Sequence, residues 1–101
     1  MSTYTHRFNT IYTAAAKGNL VHVNEWLLDD RICSADCTKA LRYAAESGHV
    51  DIVYRLLEDG RADPSTNDNE ALRVAKSYKH TAVIKCLLRD QRVVAHRKAL
   101  P

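Results

Sequence analysis

Sliding the chain along itself brings ALRYAAESGHVDIVYRLLEDGRA, from Ala40, into register with ALRVAKSYKHTAVIKCLLRDQRV, from Ala71. Nine of the 23 positions are identical, among them Ala40/Ala71, Leu41/Leu72, Arg42/Arg73, His49/His80, Leu56/Leu87 and Asp59/Asp90. A third copy lies upstream, where Ala14, Ala15, Gly18, Val23, Leu27, Asp29 and Arg31 match Ala44, Ala45, Gly48, Val53, Leu57, Asp59 and Arg61. A period of 30 to 31 residues restricts the chain to architectures built by stacking one supersecondary unit on the next.

The unit is legible from its chemistry. Leu41, Ala44 and Ala45 recur at helical spacing over about nine residues, which is short for a helix that must stand alone and implies packing. Gly48 ends that helix, because glycine reaches the left-handed conformation of a tight reversal at no steric cost. A second helix follows, with Ile52, Val53, Leu56 and Leu57 forming one apolar stripe and Asp51, Tyr54, Arg55 and Glu58 left for water. It stops near Asp59-Gly60. From Arg61 to Asn69 the residues are those of turns and loops, and Asn67 or Asp68 is placed to cap the next helix. One unit cannot bury its own stripe, but stacked copies can.

The segment ALRYAAESGH, the pair Leu56-Leu57 and then EDG before an extended loop resemble the ankyrin repeat, over roughly residues 10 to 93. The resemblance implies an all-α, ankyrin-type solenoid of about three stacked helix-turn-helix repeats with short connecting fingers. The units would be about 10–36, 37–66 and 67–93, with 94–101 the start of a truncated fourth repeat or a tail, since Lys98-Ala99-Leu100 echoes Lys39-Ala40-Leu41. Three units are about the minimum for a stable array. Two departures stand out: Lys39-Ala40-Leu41-Arg42 replaces the usual Thr-Pro-Leu-His opening, and Lys79 replaces the turn glycine of the third copy. The phrase ADPSTNDNEALRVA is similar to divergent arrays of large DNA viruses and intracellular microbes. The tetratricopeptide, the structural alternative, wants longer helices and has no place for the loop.

The resemblance also implies a function, that of a non-enzymatic module binding a protein partner through the concave face of the array. Carried over position by position, the reading residues are Lys17, Thr38, Glu46, Ser47, Thr66, Asn69, Ser77 and Tyr78, bordered by Arg42 and Arg73. Tyr78 stands out because a rigid amphipathic ring gives contact area at low entropic cost.

Charge supplies the rival reading. The net charge is +3, but residues 67–101 carry eight basic against three acidic side chains, and the rest of the chain is slightly acidic. Such a surplus suits an anionic surface or a nucleic acid. No aromatic platform or Gly-rich RNA motif accompanies it, and its plainer reading is a solvated helix face.

Other chemistry finds little support. Three cysteines are an odd number for a disulfide framework, and the spacing of Cys33 and Cys37 has no second pair beside it for zinc. Ser47, His49 and Asp51 are neighbours in a helix-turn-helix and do not converge on one reacting atom. No phosphate-binding Gly-rich loop is present. The segment Met1 to Asn9 has no apolar signal-peptide core, and no apolar run approaches the roughly 20 residues of a membrane span. An apolar share of 46% excludes disorder, and the odd cysteine count and the missing signal-peptide core set the expectation of an intracellular domain, cytoplasmic or nuclear, including the interior of a host cell. It would need no cofactor, small-molecule substrate or membrane, and would act as a monomer or as part of a longer array.

Overall fold

A computed structural model describes residues 10–99, with side chains to residue 95. Among these residues there are seven helices and no strand: α1 Ile11–Lys17, α2 Leu20–Leu27, α3 Ser34–Ser47, α4 Val50–Asp59, α5 Thr66–Ser77, α6 Thr81–Leu88 and α7 Gln91–Ala99. The first helix of each pair packs on the first helix of the next, α1 on α3 and α3 on α5. The second helices form a parallel layer, α2 on α4 and α4 on α6. The result is elongated, 50 Å along one axis against 24 and 18 Å.

The turns within the pairs follow the glycine pattern. Gly18 and Gly48 close α1 and α3 in the left-handed conformation, at φ of 78° and 80°. Lys79 takes the same conformation at φ 61° without being a glycine. Above the two glycines sit the histidines of the following repeat. A β-carbon on Gly18 would stand 2.8 Å from the His49 ring, and one on Gly48 would stand 2.7 Å from that of His80. His49 Nε2 meets the Ala16 carbonyl at 3.2 Å, and His80 Nε2 meets that of Glu46 at 2.9 Å.

The core is a column of small residues faced by branched ones. Ala14, Ala15, Ala40, Ala44, Ala45 and Ala75 let the first helices approach closely, while Ile52, Val53, Leu56, Val83 and Leu87 fill the layer between them and the second helices. At about 25 cal/mol per Å² of apolar surface removed from water, these stripes dominate the energetics. Leu57 is only half-buried, so the stripe of α4 is narrower than its sequence indicates. Arg55 is not left to water: half-buried, it donates from Nε to Asn24 Oδ1 at 2.8 Å and ties α4 to α2.

Arginines lock each second helix to the repeat before it. Arg61 donates to the carbonyls of Leu27, Asp29 and Ile32 at 2.6, 2.9 and 3.3 Å, and Asp59 orients its guanidinium through two further bonds. Arg92 repeats the arrangement with Asp90 and the carbonyl of Ala62 at 2.9 Å.

Three local readings are corrected. Helix α3 has 14 residues because the segment from Ser34 contains no breaker and places Asp36 in the first turn, where a carboxylate suits the positive helix end. Cys37 therefore lies inside α3 and in the core. Asn67 and Asp68 do not cap a helix: with Asn69 they form a left-handed turn, at φ of 55°, 57° and 58°, and right-handed helix follows from Glu70. Asn and Asp enter this conformation more readily than other residues that carry a β-carbon. The turn is held by Arg73, which donates to the carbonyls of Asn67 and Asp68 at 2.5 and 3.2 Å. After Asp90 the chain enters α7 directly, and Val93 is buried as Ala62 is one repeat earlier. The segment Met1 to Asn9 and the side chains of the Lys98-Ala99-Leu100 echo lie outside the described residues.

Candidate functional site

The outward side of the first helices carries the candidate residues, which fall into two groups separated by the length of a helix. At the turn end, Lys17, Ser47 and Tyr78 occupy one register position and are all exposed, with Ser77 exposed beside them. Tyr78, 56% exposed, donates from its hydroxyl to Glu46 Oε2 at 3.4 Å and stacks on His80 at 6.1 Å between centroids. Its ring is therefore held rather than free, and Tyr78 and Glu46 form one contiguous surface.

At the loop end, Thr38, Arg42 and Thr66 line a groove of about 490 Å³ together with Lys39, Asp63 and Glu70. Thr38 Oγ1 accepts the backbone N–H of Asp63 at 2.9 Å, which fixes the loop as one wall. Asp63 accepts from the Ser65 N–H and hydroxyl at 3.0 and 2.7 Å, and these bonds hold its carboxyl below the usual carboxylate value. Arg42 reaches Glu70 at 3.9 Å, the outer limit of an ion pair.

Two expected residues have other employment. Asn69 is buried, with Nδ2 donating to the Val93 carbonyl at 3.3 Å, so its side chain turns into the array instead of toward a partner. Arg73 is exposed, but its guanidinium braces the left-handed turn.

Three residues that the sequence reading passed over belong to the same face. Lys39 Nζ lies 4.2 Å from the centroid of the Tyr12 ring and 5.9 Å from that of Tyr43, and Arg42 Cζ lies 4.5 Å from Tyr43. The two rings meet edge to face at 6.0 Å. A signal existed: Tyr12 shares the register position of Arg42 and Arg73, and Lys39, Arg42 and Tyr43 stand at i, i+3 and i+4 on α3.

Among the described side chains, the basic residues of the last third do not gather on one face. Lys85 on α6 and Arg89 just after it are exposed in the outer layer, Lys76 and Lys79 stand at the turn end, and Arg92 is engaged with the Ala62 carbonyl. Burial pushes the Cys37 and Cys86 thiols up, away from the reactive thiolate. Among the described residues no three His, Cys, Asp or Glu side chains gather as a metal site, and no helix is long and apolar enough to cross a membrane.

Helix pairs repeating every 30 to 31 residues, reversed at left-handed residues and stacked in two layers by histidine and arginine locks, define a helical repeat solenoid. Over residues 11–98 the chain matches the family model described as ankyrin repeats in three copies, and it belongs to the ankyrin repeat family. No curated protein and no solved structure matches it. Ankyrin repeats are generally protein–protein interaction modules.

Proposed function

We propose that this chain is a non-enzymatic, intracellular interaction module that holds a protein partner on the concave side formed by α1, α3 and α5 and the loops before them. Its repeat units are taken as residues 10–36, 37–66 and 67–93, and it works as a monomer or within a longer array. The supporting observation is the groove lined by Thr38, Arg42 and Thr66, together with the separate pair of Tyr78 and Glu46 at the turn end. A rigid scaffold bearing exposed side chains that the core does not need is the arrangement binding surfaces use.

The test is affinity capture with the chain as bait, comparing the parent with the double substitution Tyr78→Ala and Glu46→Ala. Both positions lie outside the apolar stripes, so the melting curve should be unchanged while a captured protein is lost. Retention of the same protein at parental levels would overturn the reading. A steep loss of DNA or RNA binding with rising salt would install the anionic-surface alternative instead.

A further inference from the structure

The side chains of Lys39 and Arg42 line the groove between α3 and the loop leading into α5, and the described residues give Lys39 no counter-ion. Its ammonium rests on the Tyr12 ring, at 4.2 Å. An ammonium on aromatic faces keeps its full positive charge and loses conformational freedom, so less ordering is required when an anion arrives. Arg42, one helical turn along, lies over Tyr43 and meets its one described carboxylate, Glu70, only at 3.9 Å. Glu70 in turn accepts from Asn67 Nδ2 at 3.1 Å. Both cationic side chains line the same groove, in which Ala35 is exposed while Pro64 and Ala71 are buried beneath it.

We propose that this groove takes an acidic segment of the partner protein, with an Asp or Glu carboxylate seated between Lys39 and Arg42 and a small apolar side chain against Ala35. The inference rests on the concave-face reading and names the chemistry of its occupant. Charge complementarity selects the anion: a guanidinium offers a fork to a carboxylate, and the ammonium supplies a second positive charge. A singly charged carboxylate is favoured over a doubly charged phosphate because Asp63 and Glu70 stand in the same groove and repel the second charge. The volume of about 490 Å³ falls in the range of ligand pockets, about 300–1,000 Å³.

The experiment is selection of short random peptides displayed on phage against the full chain, followed by fluorescence anisotropy of the selected peptides. Acidic residues beside small apolar ones should be enriched, and Lys39→Gln and Arg42→Gln should each weaken binding by about tenfold or more with unchanged melting. Lys39→Glu should turn the selection toward basic peptides. Selected peptides without acidic enrichment, or with parental affinity for Lys39→Glu, would overturn the proposal. A phosphoserine peptide binding more tightly than its glutamate counterpart would overturn the carboxylate assignment. Peptides indifferent to Lys39→Glu but lost with Tyr78→Ala and Glu46→Ala would overturn the acidic-segment inference while leaving concave-face binding in place. Peptides indifferent to both sets would overturn both readings.

Discussion

His80 lies over Gly48 so closely that a β-carbon there would be 2.7 Å from the imidazole, while Nε2 of the same ring meets the Glu46 carbonyl at 2.9 Å. One repeat thus seats a ring in the space another leaves by lacking a side chain. Gly48 serves twice, as the left-handed turn residue and as the floor of an inter-repeat contact.

Gly48→Ala should therefore cost more than its backbone strain alone. The expected loss is about 1–2 kcal/mol from the left-handed conformation, increased by displacement of His80. Lys79 has the same conformation, at φ 61°, with no histidine of a following repeat described above it. Lys79→Gly should stabilise by about 0.5–1 kcal/mol, reduced somewhat by the freer unfolded chain. Urea unfolding of both variants checks the pair, and destabilisation by Lys79→Gly would contradict the account of strain.

Leu56→Ala should cost about 2–5 kcal/mol, because Leu56 is fully buried between the two helix layers. Tyr54, two residues away on the same helix and 60% exposed, should tolerate alanine within about 0.5 kcal/mol. Thermal melts of the two variants should separate widely. Nearly equal melts would contradict the assignment of the stripe.

The arginine locks make acid stability a measurable property. Hydrogen bonds from Arg61 and Arg92 hold the Asp59 and Asp90 carboxyls below their ordinary value of 3.8. A carboxyl whose folded-state pKa is depressed stabilises the fold fully above its unfolded value, and that contribution is lost as pH falls through the folded value. Unfolding midpoints should therefore drop as pH is lowered through about 4 and below. Asp59→Asn should flatten part of that decline, and an unchanged slope would show that the lock contributes nothing.

Arg61→Lys tests the same lock at neutral pH. A lysine cannot reproduce the fork that reaches the Leu27, Asp29 and Ile32 carbonyls, so a loss of about 1–3 kcal/mol is expected. Charge reversal at Arg92 should also destabilise the third repeat. A test of the basic last third as a binding surface is therefore clean only with Lys85→Glu and Arg89→Glu, exposed on α6 and at its C-terminal cap.

Arg73→Ala should loosen the turn at Asn67, Asp68 and Asn69 before it affects any partner. Amide exchange at these residues should quicken while the core of α3 and α4 keeps its protection. Unchanged exchange in the turn would return Arg73 to the candidate binding surface.

The period, the left-handed turns at Gly18 and Gly48 and the apolar stripes were determined by the sequence itself, because each is a local or repeating signal. Glycine at a reversal and alanine or leucine at helical spacing mean the same thing in every copy, so Gly18, Gly48, Ala44 and Leu56 were readable one unit at a time. Tertiary structure decided what each polar side chain does. Asn69 and Arg73 stand at positions that sequence register assigns to a partner, yet one is drawn inward to the Val93 carbonyl and the other to a left-handed turn. Lys39 and Tyr12, far apart in the chain, meet only because α1 packs on α3. Hydrogen bonds and cation–aromatic contacts depend on side-chain direction across helices, at distances of a few ångströms. Periodicity along one chain specifies which face a residue occupies; only the packed helices specify what it meets there.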